Sequence, residues 1–295
     1  MMAANMGYLF QRDYYRGIKE DVLFDTTKEK TEQTSFFCKK NNCLIENSKH
    51  SYGDYDDYVI GNGFPLKTIY PGLITGIGMV HETGMMGEFK LGMAFDFSTG
   101  DPIIPGSSVK GLLRSMFPIL NTGQKLDNDA KKALFEEKKN YIASKIKEIV
   151  NNNDKYRDIR AEINLFTNEE STQLAESIFC GKRYDGDFLS IYERDVFYDA
   201  QIVGDYSEMG ILGFDYITPH PDPLKNPNPI QFLKILPNVE LFFCFKLNET
   251  QIRKSDGSQI RVPKELKLDL FKEILITVGV GAKTNVGYGQ LKIEK

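Results

Sequence analysis

The stretch "GVGAKTNVGYG", residues 279–289, puts four glycines into eleven positions, directly after an amphipathic helical pattern. Glycines at that density mark a loop that bends sharply or lies close to another backbone. Only eleven residues follow Thr284, so the chain has room to return as a short strand and for nothing larger. Gly279, Gly281, Lys283 and Thr284 superficially match a phosphate-binding P-loop. The match fails, because Ala282 stands where that loop needs glycine and no long helix follows. Two readings survive. The loop either offers N–H groups, Lys283 and the aromatic Tyr288 to a sugar-phosphate backbone and a stacked base, or it only packs a helix against a strand.

A second glycine-bearing segment, "DPIIPGSSVKGLLRSMFP" (101–118), ends a loop and starts a helix. Ser107 or Ser108 is expected as its N-cap, with Val109, Leu112, Leu113 and Met116 at helical spacing. Lys110 and Arg114 lie four apart and share one helix face. Gly106, Ser107 and Ser108 ahead of two cations suit an anion at a helix N-terminus. They equally suit an ordinary capped helix.

The remaining pattern places these loops in a fold. "LITGIGMVHE" reads as a strand broken by Gly76 and Gly78, where glycine suggests a bulge or a close backbone approach. "FKLGMAFDF" alternates as a strand does. Residues 125–160 form a charged helical stretch with Leu134, Ile142, Ile146 and Ile149 on its apolar face. "NEESTQLAESIFCG" is a second helix. "FLSIYERDVFYDAQIV" is a strand, or a hairpin turning at Glu193 to Asp195. The five-proline "GILGFDYITPHPDPLKNPNPIQFLKIL" reads as a long irregular connection. "NVELFFCFKLN" is a strand, Asp256-Gly257 a tight turn, and "PKELKLDLFKEILITVGV" a helix with proline near its first turn. The order is β-α-β-β-α-β, the α+β ferredoxin-like pattern, with a helical insertion and an N-terminal extension. One elaborated domain is expected, with no internal repeat.

Hydrophobic content of 41% and charged content of 26% are ordinary for a globular chain. A formal net charge of -4 argues against indiscriminate coating of nucleic acid, though not against a local basic groove. No apolar run is long enough to span a bilayer. The start lacks the basic and apolar regions of a signal peptide, so a cytoplasmic protein without membrane contact is expected. Cys38, Cys43 and His50 lack the tight pairs of a zinc site, and Cys180 and Cys244 read as buried small hydrophobes. Neither metal nor cofactor is expected. His81 beside glycines could act as general base in RNA cleavage, but a structural role is the better expectation. Asp185, Asp187, Glu193, Asp195, Asp199 and Asp205 are read as solvated edges and turns rather than a metal-dependent nuclease site.

Taken together, "IPGSSVKGLLRS" resembles the IPGSS-x-KG-x-LR signature of the RAMP superfamily of CRISPR systems, and "GVGAKTNVGYGQL" resembles its C-terminal glycine-rich loop. "IFCG" followed by "VFYDAQIV", then "DYITPHPDP", then "PIQFLKILPNVELFFCF", make the set most similar to the sixth-subunit family of the type III-B (Cmr) effector. The family's usual "FG" reads "FCG" here. The resemblance covers roughly residues 70–293, leaving 1–65 and about 121–170 without a matching motif. It implies an RRM-like RAMP domain over 66–295, with a helical insertion at about 121–180 and residues 1–65 packed on the core. It implies a non-catalytic subunit in the crRNA-binding backbone, towards the guide's 3′ end, contributing to antiviral defence. The partners implied are crRNA and complementary target RNA, other RAMP backbone subunits and the small helical subunit. Target cleavage would belong to a different subunit. The RNA-facing residues so implied are Gly106, Ser107, Ser108, Lys110, Arg114 and His220, opposed by Gly281, Lys283, Thr284, Asn285 and Tyr288. The alternative is a RAMP-type endoribonuclease with His81 or His220 as base.

Overall fold

A computed structural model describes residues 5–19, 30–54, 61–78, 81, 85–120, 125–218 and 229–294. The central sheet is built from β1 (Ser51–Tyr52), β2 (Asn62–Thr68), β3 (Val196–Phe197), β4 (Gln201–Asp205), β7 (Glu240–Lys246) and β10 (Leu291–Lys292). Their order is β1-β4-β7-β2-β10, every pairing is antiparallel, and β3 joins the same edge of β7 as β4. Helices α3 (Gly106–Met116) and α7 (Lys264–Val278) follow β2 and β7 in the chain. They pack on one face of the sheet, over Leu66, Ile202, Leu241, Phe243 and Phe245, in a continuous apolar core. The other face carries a small cluster of Val203, Phe242 and Cys244 under Tyr198.

The first core strand lies earlier than its sequence suggests. Residues 62–68 form it despite Pro65, whereas the expected strand at 73–82 makes only a single bridge, Leu73 to Ile235, among its described residues. Proline is tolerated because β10 pairs with Lys67 and Thr68 only, leaving that edge open beside Pro65. Beyond Leu73, Gly76 turns the chain at φ +71, and a Cβ there would sit 2.2 Å from the Ala94 nitrogen. This is the close backbone approach that its glycine signalled. "FKLGMAFDF" likewise gives isolated bridges, Leu91 to Phe232 and Phe95 to Pro102, and no extended strand.

Between α3 and β3 run the helices α4 (Asp129–Asn152), α5 (Arg160–Asn164) and α6 (Asn168–Cys180). Ile142, Ala143, Ile146 and Val150 form the buried stripe of α4; Leu134, expected on that stripe, is exposed. A capping box of Thr167 and Glu170 starts α6, and Gly181 in the left-handed region ends it. The proline-rich region is not one irregular connection. Its flanks pair as an antiparallel hairpin, β5 (Leu212–Ile217) with β6 (Ile230–Ile235), and a second hairpin joins β8 (Thr250–Arg253) to β9 (Gln259–Val262) across Gly257. The N-terminal helices α1 (Met6–Gln11) and α2 (Lys30–Asn47) contribute Phe10, Phe37 and Leu44 to the common core.

Candidate nucleic-acid interface

The 101–118 glycine segment meets the sheet edge at a bulge. Phe197 pairs with Phe245 and Gln201 with Phe242, so three residues on one strand oppose two on the other. A bulge re-aims side chains, and here Asp199 Oδ1 accepts the Gly106 N–H at 2.6 Å. Gly106 is buried, and a Cβ on it would sit 2.3 Å from the Phe197 carbonyl oxygen. Its amide is therefore engaged by an internal carboxylate, and the expectation that it offers an N–H to an outside anion is corrected. Neither serine caps the helix, because Pro105 occupies the N-cap position and makes no side-chain cap bond. Ser107 and Ser108 are exposed.

The two glycine segments do come together. Thr75, Gly76, Ile77, Gly78, Ile104, Ser108, Leu112, Gly281 and Ala282 line one cleft of about 460 Å³. The Ala282 N–H donates to the Ile74 carbonyl at 2.9 Å, and the Gly289 N–H to the Gly72 carbonyl at 2.8 Å. Gly281 (φ +90) allows this stitching, since a Cβ would lie 2.3 Å from the Ile74 oxygen. Gly78 differs, because a Cβ there would meet nothing within 4 Å. Gly76 and Gly78 thus line the cleft, whereas their sequence context signals only a bulge or a close backbone approach.

Lys110 and Arg114 lie elsewhere on the same helix. At about 100° per residue, the Ser108–Leu112 row and the Lys110–Arg114 row sit on opposite flanks of α3. Lys110 Nζ lies 5.5 Å from the centroid of the Phe197 ring, on the bulge side. Arg114 Nε is buried and has no hydrogen-bond partner among the described residues. Between the flanks, the outer face consists of Ser107, Ser108, Gly111 and Ser115, all exposed, and Gly111 has nothing within 4 Å of a built Cβ. The expected single groove walled by Lys110 and Lys283 is thus a small-residue ridge, with the glycine cleft on one side and two cations on the other.

In the C-terminal loop, Lys283 has a left-handed backbone (φ 60) and starts a 3-10 turn over Thr284–Val286, with Asn285 exposed. Among the described residues no carboxylate pairs with Lys283. Tyr288 is tied to the β5–β6 hairpin: its hydroxyl donates to Asp215 Oδ2 at 2.7 Å, Lys234 Nζ reaches the same oxygen at 2.8 Å, and that ammonium lies over the Tyr288 ring at 5.8 Å from its centroid. Burial and the bond to Asp215 push the Tyr288 hydroxyl pKa up, while Asp215 stays below the usual carboxylate range, held there by Lys234 and Tyr288 against the opposing effect of burial. His220 lies outside the described residues.

The groups that a nuclease would need do not converge among the described residues. His81 stacks on Phe10 and Tyr14, with ring centroids 4.4 and 4.7 Å away, and burial lowers its pKa from 6.5. Asp195 is no solvated edge; it is buried and paired with the buried Lys267 at 2.6 Å. Asp185, Asp205 and Glu193 accept backbone N–H groups within their own turns.

A family model described as the RAMP superfamily matches residues 60–292. A curated relative, the CRISPR system Cmr subunit Cmr6 of Pyrococcus furiosus, is 27% identical over 265 residues, which span 82% of this chain and 72% of that protein. Among solved structures, a chain of the type III-B Cmr-beta complex bound to cognate target RNA superposes with a TM-score of 0.54 at 19% identity. That match covers 92% of this chain and 75% of the other. The crystal structure of Cmr6 from Pyrococcus furiosus gives 0.40 at 22% identity, covering 80% and 98%.

Proposed function

The chain belongs to the RAMP superfamily, and from that premise we propose that it is a non-catalytic, guide-RNA-binding subunit of a type III-B CRISPR effector, seated towards the guide's 3′ end. The observation that carries this reading is the outer face of α3. Ser107, Ser108 and Gly111 leave it bare, a backbone-lined cleft opens at Gly78 and Gly281 on one side, and Lys110 and Arg114 stand on the other. A sugar-phosphate chain needs close approach to backbone and small hydroxyls, with cations within reach. No base-reading group is required, because pairing between guide and target supplies the specificity. Lys283, Thr284 and Asn285 follow Ala282 of the cleft lining directly in the chain and extend the RNA-facing surface in this reading, while Gly106 and Tyr288 act as framework rather than contacts. The dispersed carboxylates and the ring-stacked His81 support the non-catalytic part. The sheet order β4-β7-β2-β10 with α3 and α7 on one face supports the ferredoxin-like description, with α4 to α6 as its insertion and the residues before β2 as its extension, which ends ahead of Asn62 rather than at 65. Its partners in this reading are the crRNA and its target, other RAMP subunits and the small helical subunit.

Copurification from the host tests it. Tagged protein should bring down CRISPR guide RNA together with effector subunits. Gly78→Glu places a carboxylate in the cleft at a position with open space, and Lys110→Glu/Arg114→Glu reverses the other flank. Each should shorten or remove the protected guide. Guide RNA of unchanged length with both variants would overturn the assignment of this face.

A further inference from the structure

Strand β5 has β6 as its one strand neighbour among the described residues. The Leu236 N–H donates to the Ile211 carbonyl at 2.8 Å, which sets the phase of this antiparallel ladder. Gly213, Asp215 and Ile217 therefore bond inward to β6, and the N–H and C=O groups of Leu212, Phe214 and Tyr216 point outward. The far edge of β6 keeps the same phase, since Gln231 and Ile235 turn their carbonyls out to the N–H groups of Lys90 and Leu73. Two of the three outward N–H groups on β5 are taken. That of Leu212 donates to Ser48 Oγ at 3.2 Å, and that of Tyr216 to Asp215 Oδ1 at 2.8 Å. The Phe214 N–H and the carbonyls of Leu212, Phe214 and Tyr216 have no partner among the described residues.

Other strand edges are blunted in ways that this one is not. On the β8–β9 hairpin, Gln173 takes both the N–H and the C=O of Arg253, Glu162 takes the Arg261 N–H, and the exposed side chains are polar or cationic. The open stretch of β2 carries Pro65. Strand β5 has neither proline nor cation, and its Phe214 and Tyr216 are 44% and 56% exposed. Their rings meet edge to face with centroids 5.8 Å apart, and Phe214 continues to the buried Phe89 ring at 6.2 Å, so they form one shelf beside the free edge. The hydrogen-bond inventory selects the occupant. The edge offers three acceptors and one donor. A phosphate backbone brings further acceptors. A second copy of β5 brings only its Phe214 N–H, which would leave the Leu212 and Tyr216 carbonyls of both copies without a donor. An extended segment of another chain supplies a free N–H at every second residue. We propose that β5 takes such a segment, from a different protein subunit, as the third strand of its sheet. Its N–H groups donate to the Leu212, Phe214 and Tyr216 carbonyls, it accepts the Phe214 N–H, and its side chains lie on the aromatic shelf. The proposal rests on the assembly reading above and gives the chain a protein-facing edge.

The test uses the assembled effector purified from its host with Tyr216→benzoylphenylalanine in this chain, irradiated and mapped by peptide mass spectrometry. The expected product is a cross-link to one short segment of a different protein subunit. Cross-links to RNA or to a second copy of this chain, or none while guide and subunits copurify, overturn the strand-addition proposal and leave the RNA reading standing. A preparation without guide or subunits overturns both. A second arm compares Phe214→Pro with Phe214→Thr. Both remove the ring, but only proline removes the outward N–H and blocks the edge, and neither touches the bonds to β6, which run through Gly213 and Asp215. With guide of unchanged length in both, retention of the cross-linked neighbour should be at least about tenfold lower for proline than for threonine. Equal retention in the two variants refutes main-chain pairing.

Discussion

Gly111 separates two uses of glycine that look alike in a sequence. Gly106 and Gly281 are needed by packing, since a Cβ on either would strike a carbonyl oxygen at 2.3 Å. Gly111 sits exposed inside a helix with nothing to strike, where glycine costs about 1 kcal/mol relative to alanine. Gly111→Ala is therefore expected to raise stability by about that amount in denaturant unfolding, and at the same time to weaken guide retention. A variant that is more stable and holds its guide normally would take α3's outer face out of the RNA interface. The sequence identified both glycine segments but could not divide their residues this way. The deciding atoms, such as the Phe197 and Ile74 carbonyls, belong to chain segments far away in sequence. Tyr288 is the same case, because its hydroxyl partner Asp215 lies in a hairpin that the sequence did not reveal.

At the scale of elements, strongly periodic segments were legible. Helices α4, α6 and α7, strand β7 and the turn at Gly257 fall where their patterns put them, because 3.6-residue periodicity and turn chemistry are local signals. The failures had tertiary causes. Pro65 concealed β2, which is tolerated only because β10 is too short to need that edge. Five prolines between residues 219 and 229 masked the flanking strands β5 and β6, whose pairing is evident only in three dimensions. Helix α1 shows a further tertiary dependence. Its Phe10, with the following Tyr14, stacks on His81, whose pKa is depressed by burial. The unfolded chain then takes up a proton near pH 6.5 that the folded chain resists. Unfolded protein binds more protons in that window, so stability falls as pH drops below 6.5 and levels off only below the lowered folded value. His81→Phe keeps a ring in the stack and should flatten this part of the profile, measured by unfolding at a series of pH values. Equal slopes in both proteins would mean that His81 does not carry the effect.

For the whole molecule, a net charge of -4 means that RNA affinity must come from a few placed cations rather than an overall field. With Lys110, Arg114 and Lys283 as the phosphate contacts, binding of single-stranded RNA should show a logarithmic salt slope of about -2. Lys283→Ala should reduce that slope by about 0.7 in titrations across a range of salt concentrations. A slope near zero would mean that phosphates are not what the cleft holds. The same scale brings out the Asp215 carboxylate. One of its oxygens takes both the Tyr288 hydroxyl from the C-terminal loop and the Lys234 ammonium from β6. That oxygen fastens the β5–β6 hairpin to the C-terminal loop, and the Leu73–Ile235 bridge fastens it a second time, to the segment that runs into the cleft at Thr75. The hairpin is thus a splint: it ties the chain entering the cleft at Thr75 to the chain leaving it beyond Ala282, one side through backbone and the other through a carboxylate.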